Sequence, residues 1–201
     1  MNIPLTPVGG CQDVSYIVDF LASYLFPHGE KEITSWIATG ISLGGNLTYR
    51  LLQTGTSRQA VDASVVKQVN WLMLEPRIDI AIPIIGLPWP SFPVYLKARA
   101  ISMGLDFAPP LYPPALRRVL ETPPPAECFD GKKILSIHGA SDTLVPFDQG
   151  AAHIAEIQRQ VESGGKGGAM EVWKKPGVGH AVTPDMLERT GEWVWRHALS
   201  E

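Results

Sequence analysis

The chain has 201 residues, of which 45% are hydrophobic and 18% charged, and its formal net charge at neutral pH is −3. This length and composition are those of a single globular domain covering residues 1–201. The slightly acidic balance, without a basic cluster among aromatic residues, excludes an electrostatic surface for nucleic acid. The longest apolar stretch, residues 80–90, is interrupted by prolines and too short to span a membrane, so no membrane span is expected.

Two cysteines, Cys11 and Cys128, lack the spacing of a metal site, and no metal is expected. We expect both thiols to be unpaired, as in a reducing compartment, and the protein to be cytoplasmic. The first ten residues show neither the basic nor the apolar region of a secretory signal. No dinucleotide or phosphate-binding glycine motif follows a predicted strand, so no cofactor is expected.

Hydrophobic periodicity predicts an α/β fold with a mostly parallel sheet flanked by helices. Asp13 is the predicted N-cap of a first helix, residues 13–26. Residues 55–69 are predicted to extend a helix or to form an insertion. The predicted strands are residues 33–41, 78–86, 133–138 and 170–174. The remaining predicted helices are residues 43–53, 147–161 and 184–199.

A proline-rich segment separates the second and third predicted strands. Eleven of the eighteen prolines lie between Pro83 and Pro125, a density that excludes regular sheet or one long helix. We interpret residues 87–127 as a cap or lid that contains one short helix at residues 93–103. The alternative is a surface loop that packs its own aromatic side chains. In a cap, the apolar contacts to a substrate would come from Trp89, Phe92 and Tyr95.

The pentapeptide Gly40-Ile41-Ser42-Leu43-Gly44 lies between a strand-like and a helix-like segment. This context is typical of a nucleophile elbow, a tight turn that exposes a serine hydroxyl. The flanking glycines allow the neighbouring backbone to approach closely. The alternative is a glycine-rich turn with an ordinary surface serine. Ser42 is therefore a candidate nucleophile, provided that the chain also supplies a base and an acid.

Two further motifs supply these groups. His138-Gly139 and Asp142 follow the third predicted strand, and Gly179-His180 follow the fourth. His180 is the candidate base, because imidazole can accept a proton near neutral pH and return it. Asp142 would orient the imidazole and stabilise its protonated form.

The three motifs, in this order, resemble those of the α/β-hydrolase superfamily, in particular its esterase and dienelactone-hydrolase-like members. The resemblance extends from Gln12 to the C-terminus. It implies a serine hydrolase that cleaves a small carboxylic ester, thioester or lactone through an acyl-enzyme. It also implies that the backbone N–H of Leu43 donates to the oxyanion.

Other titratable residues are weaker candidates. His138 is expected to orient the acid loop or to pack, and Asp130 and Asp148 are rival acids outside the motif. Asp185 is expected to interact with the dipole of the last helix. A solvated surface position is expected for His28, His153 and His197.

The chain departs from the superfamily pattern before Ser42. The strands that usually precede the elbow are not apparent, nor is the loop that gives the second oxyanion donor, which the pair Gly9-Gly10 does not replace. We expect an N-terminally shortened hydrolase: a fragment, a truncated gene model or a protein completed by homodimerisation. The elbow strand would then be a sheet edge. The alternative function is a catalytically weak remnant that acts as a binding or scaffold module.

Overall fold

The computed structural model describes residues 6–52, 75, 77–121 and 128–200. Within these ranges the chain forms four strands: β1 (Trp36–Ile41), β2 (Ile78–Ile84), β3 (Lys133–Gly139) and β4 (Ala169–Lys175). The same ranges contain six α-helices: α1 (Thr6–Leu25), α2 (Leu43–Leu52), α3 (Phe92–Ser102), α4 (Pro114–Glu121), α5 (Ala151–Ser163) and α6 (Pro184–Val194). None of these helices is long and apolar enough to cross a membrane.

The four strands form one parallel sheet in the order β1-β2-β3-β4. Ala38 of β1 lies beside Ala81 of β2, and Ile137 of β3 lies beside Trp173 of β4. Each strand is followed by a helical connection to the next, as parallel strands require. The predicted α/β fold is confirmed, and the carboxyl ends of all four strands meet at one edge of the sheet.

Helices cover both faces of the sheet. One face packs against α1, α2 and α5 through a core of buried side chains that includes Tyr49, Leu52, Ile134 and Ile157. The other face packs against α6, whose Met186 and Trp193 contact the isoleucines of β2 and β3. Strands buried on both faces are nearly all apolar, which explains the sequence of β2 and β3.

β1 is an edge strand of the described sheet, and its burial alternates along the strand. Ile37 is 39% exposed and Ile41 is 51% exposed. The strand predicted over residues 33–41 is therefore shorter than expected, and it is only partly buried because it has one neighbouring strand in the described sheet. The expected position of this strand at an edge agrees with the structure.

The first helix begins at Thr6, so the N-cap predicted at Asp13 was wrong; Asp13 is an exposed residue within α1. Packing explains the longer helix. Cys11 is buried in the core, and Gly10 lies so close to Leu47 that an added Cβ would meet its side chain at 3.0 Å. These tertiary contacts outweigh the low helix propensity of the preceding glycines.

The proline-rich segment contains more helix than predicted. A 3₁₀ turn, Trp89–Ser91, leads directly into α3, and α4 was not predicted at all. The two helices share a small apolar cluster of Trp89, Phe92, Tyr112 and Leu120. Residues 122–127 and the insertion predicted at 55–69 lie outside the described residues. The cap function of residues 87–127 stays a prediction.

Of the two glycines in the pentapeptide at the turn between β1 and α2, only one is sterically required. A Cβ added to Gly40 would lie 2.3 Å from the carbonyl oxygen of Gly44, a distance that real Cβ atoms do not adopt. An added Cβ at Gly44 would have no atom within 4 Å. The two glycines of the pentapeptide therefore differ in what they contribute, and only Gly40 permits the close backbone approach.

We predict that Gly40→Ala lowers the free energy of unfolding by about 2–3 kcal/mol or more, because the methyl group overpacks the turn. Gly44→Ala is the matched control and should change stability by less than ~1 kcal/mol, since alanine favours the helix. Urea unfolding followed by circular dichroism measures both. Equal losses in the two variants would contradict the close approach at Gly40.

Candidate active site

Ser42 occupies the turn between β1 and α2 in a left-handed conformation, with a φ of 56°. Its N–H donates to the carbonyl of Ile84 at 2.9 Å, and its carbonyl accepts from the N–H of Asn46 at 3.0 Å. A non-glycine residue with positive φ costs free energy and persists only where its surroundings enforce it. Here the end of β2 and the first turn of α2 hold the strained residue.

The structure brings together the three side chains that the sequence motifs singled out. The Nε2 atom of His180 lies 2.9 Å from the Oγ of Ser42. Its Nδ1 atom lies 2.7 Å from Oδ2 of Asp142. With Nδ1–H donating to the carboxylate, Nε2 is left as an acceptor for the serine proton. The roles of nucleophile, base and acid stay predictions, but the geometry fits all three.

Hydrogen bonds within its own loop hold the Asp142 carboxylate, in addition to its contact with the imidazole of His180. Its side chain is only 2% exposed, whereas that of His180 is 21% exposed. Its Oδ1 atom accepts from the backbone N–H groups of Leu144 and Val145, both at 2.9 Å. These bonds offset the free-energy cost of burying a carboxylate and leave Oδ2 to accept from His180.

The rival acids lie elsewhere. Asp130 forms an ion pair with Lys166 at 3.4 Å, and Asp148 is exposed at the start of the 3₁₀ turn before α5. Asp185 lies in the first turn of α6, as predicted, and pairs with Lys175, which lowers the pKa of the Asp185 carboxyl.

The loops that carry Asp142 and His180 are joined to each other by backbone contacts. The N–H of Ala140 donates to Lys175 at 2.8 Å, and that of Ser141 donates to Val178 at 2.9 Å. A Cβ on Gly139 would lie 2.3 Å from the carbonyl oxygen of Gly179, so the glycine lets the two loops touch. The spacing between acid and base therefore follows from the backbone.

Leu43 is the first residue of α2, directly after Ser42. The first N–H groups of a helix have no intrahelical acceptor and carry the positive end of the helix dipole. An N–H in this position can donate to a negative oxygen that forms on a group attacked by Ser42. The arrangement can thus deprotonate a serine, attack a carbonyl and stabilise the resulting charge.

The three predicted substrate-binding aromatic residues lie deeper than an open binding surface would need. Trp89 is fully buried and Phe92 is 1% exposed, while Tyr95 is half-buried. The guanidinium of Arg50 lies 4.9 Å from the Trp89 ring centroid, and the Phe92 ring packs between those of Trp89 and Tyr95. These rings form the interior of the segment, and their contact with substrate stays a prediction.

Some residues that support the site were not singled out from the sequence. Asn46 is buried, and its Oδ1 accepts the backbone N–H of Leu87 at 2.6 Å, which ties α2 to the start of the proline-rich segment. Its position four residues after Ser42, on the helix face toward the elbow, was the available signal. The solvated position expected for His153 was wrong, because its Nδ1 contacts the buried Ser91 at 3.1 Å. His197 is also half-buried, whereas His28 is exposed.

Among the described residues, no group of three or more His, Cys, Asp or Glu side chains could hold a metal ion. Cys11 and Cys128 are both free and buried. Burial raises the pKa of each thiol to about 12, so both remain protonated near neutral pH. Neither cysteine is therefore an activated nucleophile.

No protein-family model and no curated protein matches the sequence. Solved structures do match the fold. SOBER1 of Arabidopsis thaliana is 19% identical over 94% of this chain, with a TM-score of 0.51. A truncated carbohydrate esterase from gut microbiota is 18% identical over 94% of this chain and 67% of its own, with a TM-score of 0.55. TT1662 from Thermus thermophilus is 18% identical over 90% of this chain and 59% of its own, also with a TM-score of 0.55.

This chain spans 63% of the SOBER1 chain. At such identities the likeness concerns the fold alone. The parallel order of the strands, the turn at Ser42 and the match to these structures agree with one another, and the resemblance seen in the sequence is confirmed at this level. The chain has the α/β-hydrolase fold.

Proposed function

We propose that the protein is a serine hydrolase that cleaves a carboxylic ester, or a related thioester or lactone, through an acyl-enzyme. The observation that carries this proposal is the hydrogen-bonded series Ser42–His180–Asp142, with distances of 2.9 and 2.7 Å. Ser42 in this series also has the positive φ that is typical of a serine in a nucleophile elbow. The carbohydrate esterase among the structural neighbours shares the fold and supports the same reaction class.

In the first half of the reaction, His180 accepts the proton of Ser42 through Nε2 while the serine oxygen attacks the carbonyl carbon. The carbonyl oxygen becomes an oxyanion, to which the N–H of Leu43 donates. The C–O bond to the alcohol then breaks, and the alcohol leaves with the proton from His180. Asp142 remains ionised and stabilises the imidazolium during both proton transfers.

In the second half, a water molecule takes the place of the alcohol. His180 removes a proton from this water, whose oxygen attacks the acyl carbon. Collapse of the second tetrahedral intermediate releases the carboxylic acid, and the proton returns to the oxygen of Ser42. The cycle consumes one ester and one water and needs no metal or cofactor.

The proline-rich segment suits an apolar acyl or alcohol group. Its interior is aromatic, and its surface carries exposed aliphatic side chains at Val94, Ile101 and Met103. We propose that residues 87–127 cover the substrate, with Trp89, Phe92 and Tyr95 setting the shape of the cover.

We predict that a fluorophosphonate probe labels the wild-type protein and that Ser42→Ala abolishes labelling, because the probe reacts with the activated serine oxygen. His180→Ala should lower the turnover of a short-chain p-nitrophenyl ester by about 10³-fold or more. Asp148→Ala is the matched control for a carboxylate outside the series and should retain both signals. Labelling that survives Ser42→Ala would exclude Ser42 as the nucleophile.

A second candidate function remains the binding or scaffold module without useful catalysis. A wild-type protein with a cooperative unfolding transition but without labelling or ester turnover would favour this alternative. The same two measurements thus separate the two functions.

We also propose that the protein forms a homodimer through the outer edge of β1, which no strand covers among the described residues. This edge is unusual because residues 33–49 contain no charged side chain, whereas natural edge strands are commonly protected by charge. Ile37 and Ile41 of this strand are exposed in the part of the chain that the structure describes. A second copy fits this surface because two uncharged β1 strands can pair around a two-fold axis without repulsion.

We predict that light scattering coupled to size-exclusion chromatography gives twice the 21.9 kDa chain mass. Ile37→Lys should give monomers, because it places a charge at the centre of the contact. Leu187→Lys is the control, since Leu187 is 55% exposed on α6, and it should leave the dimer intact. A wild-type protein that stays monomeric at ~100 µM would contradict the dimer.

A further inference from the structure

A series of buried hydrogen bonds connects two elements next to the proposed Ser42–His180–Asp142 triad. The hydroxyl of Tyr49 lies 2.5 Å from the Oγ of Ser136, and this oxygen lies 2.6 Å from Nε2 of His138. Tyr49 and Ser136 are fully buried, and His138 is 1% exposed. The three side chains come from α2 and β3, so the bonds connect two separate elements of the fold.

The two ends of this series of hydrogen bonds lie on the elements that lead to the proposed nucleophile and the proposed acid. Tyr49 lies two turns after Ser42 on the helix that the elbow begins. His138 lies at the end of β3, four residues before Asp142. The Asp142 carboxylate is held by N–H groups of its own loop, and these local bonds do not set the distance from that loop to α2. The buried series of hydrogen bonds spans this distance.

We propose that Tyr49, Ser136 and His138 act as positioning residues that fix the acid loop relative to the elbow helix and so keep the imidazole of His180 in line with Ser42. This inference rests on the proposed hydrolase function. None of the three residues contacts the reacting atoms. They act through Asp142, and their loss would change the rate of proton transfer without changing the binding of substrate.

The protonation state of His138 allows these bonds to run in one direction. A neutral His138 with its proton on Nδ1 can accept from Ser136 through Nε2, and Ser136 can in turn accept from Tyr49. Burial lowers the pKa of His138 to about 4, with Lys174 adding to the decrease and Asp142 opposing it. His138 is therefore neutral near pH 7 and can accept through Nε2.

A purely structural role explains the arrangement less well. Three buried polar side chains give no more packing energy than apolar residues of the same shape, and they cost free energy wherever a bond is unmade. The Nδ1 atom of His138 has no hydrogen-bond partner among the described residues, so part of this cost is present. Directional bonds fix a distance and an angle, which apolar contacts do not. These hydrogen bonds therefore contribute a fixed arrangement of the Ser42, His180 and Asp142 side chains rather than packing energy.

We expect Tyr49→Phe, which removes only the hydroxyl, to lower kcat per labelled active site by about 3–10-fold and to leave KM within ~2-fold. Ser136→Ala should give a similar or larger loss and serves as the second variant if Tyr49→Phe folds poorly. Counting active sites with the fluorophosphonate removes any effect of unfolded protein. Thr190→Val is the control, because it deletes a 2.9 Å hydroxyl bond within α6, and its kcat should not change.

A double-mutant cycle distinguishes positioning from general destabilisation. Rate constants for fluorophosphonate labelling are measured for the wild type, Tyr49→Phe, Asp142→Asn and the double variant. If Tyr49 acts through Asp142, its loss should change the labelling rate of Asp142→Asn by less than ~2-fold, because coupled residues are non-additive. Additive losses, or an unchanged rate in Tyr49→Phe, would overturn the inference. Failure of wild-type labelling would instead refute the hydrolase function.

Discussion

Ser42 has a φ of 56°, and this conformation, which costs about 1–3 kcal/mol for a residue with a side chain, is enforced from both sides by backbone hydrogen bonds. The carbonyl of Ile84 accepts from the N–H of Ser42, and the carbonyl of Ser42 accepts from the N–H of Asn46. Gly40 contributes to the turn, because the absence of a side chain there allows the Gly44 carbonyl to approach. The position of the serine oxygen is therefore set by the main chain of β1, β2 and α2, before any other side chain of the site is considered.

The parallel sheet determines the positions of the other two side chains, Asp142 and His180. Since all four strands run in one direction, the turn after β1, the acid loop after β3 and the histidine loop after β4 all lie at the same edge. Asp142 and His180 are joined through main-chain bonds between their loops. The side chains of Tyr49, Ser136 and His138 connect this pair to the elbow helix. Main-chain contacts and buried hydroxyls thus hold a serine, a histidine and an aspartate that are distant in sequence.

Much of this arrangement could be predicted from the sequence, because it depends on short motifs. The pentapeptide around Ser42 specifies its own turn, and a polar residue after an apolar strand must lie at the sheet edge, as Asp142 does. The start of α1 could not be predicted, since it depends on packing between residues distant in sequence, such as Gly10 and Leu47. Trp89 is buried in a cluster with Phe92, Tyr112 and Leu120, and this packing within the proline-rich segment is not revealed by composition. The bond between Tyr49 and Ser136 joins residues 87 positions apart, and no local pattern marks it.

The main chains around the serine and the histidine are held in different ways. Both residues follow edge strands of the described sheet, since Ser42 comes after β1 and His180 after β4. The N–H and the carbonyl of Ser42 are bonded to β2 and α2, whereas the segment before His180 is bonded to the acid loop through Lys175 and Val178. Segments joined in this way open as one cooperative unit. On warming, the base and its carboxylate partner would therefore leave the serine together, and on cooling they would return with their mutual spacing preserved.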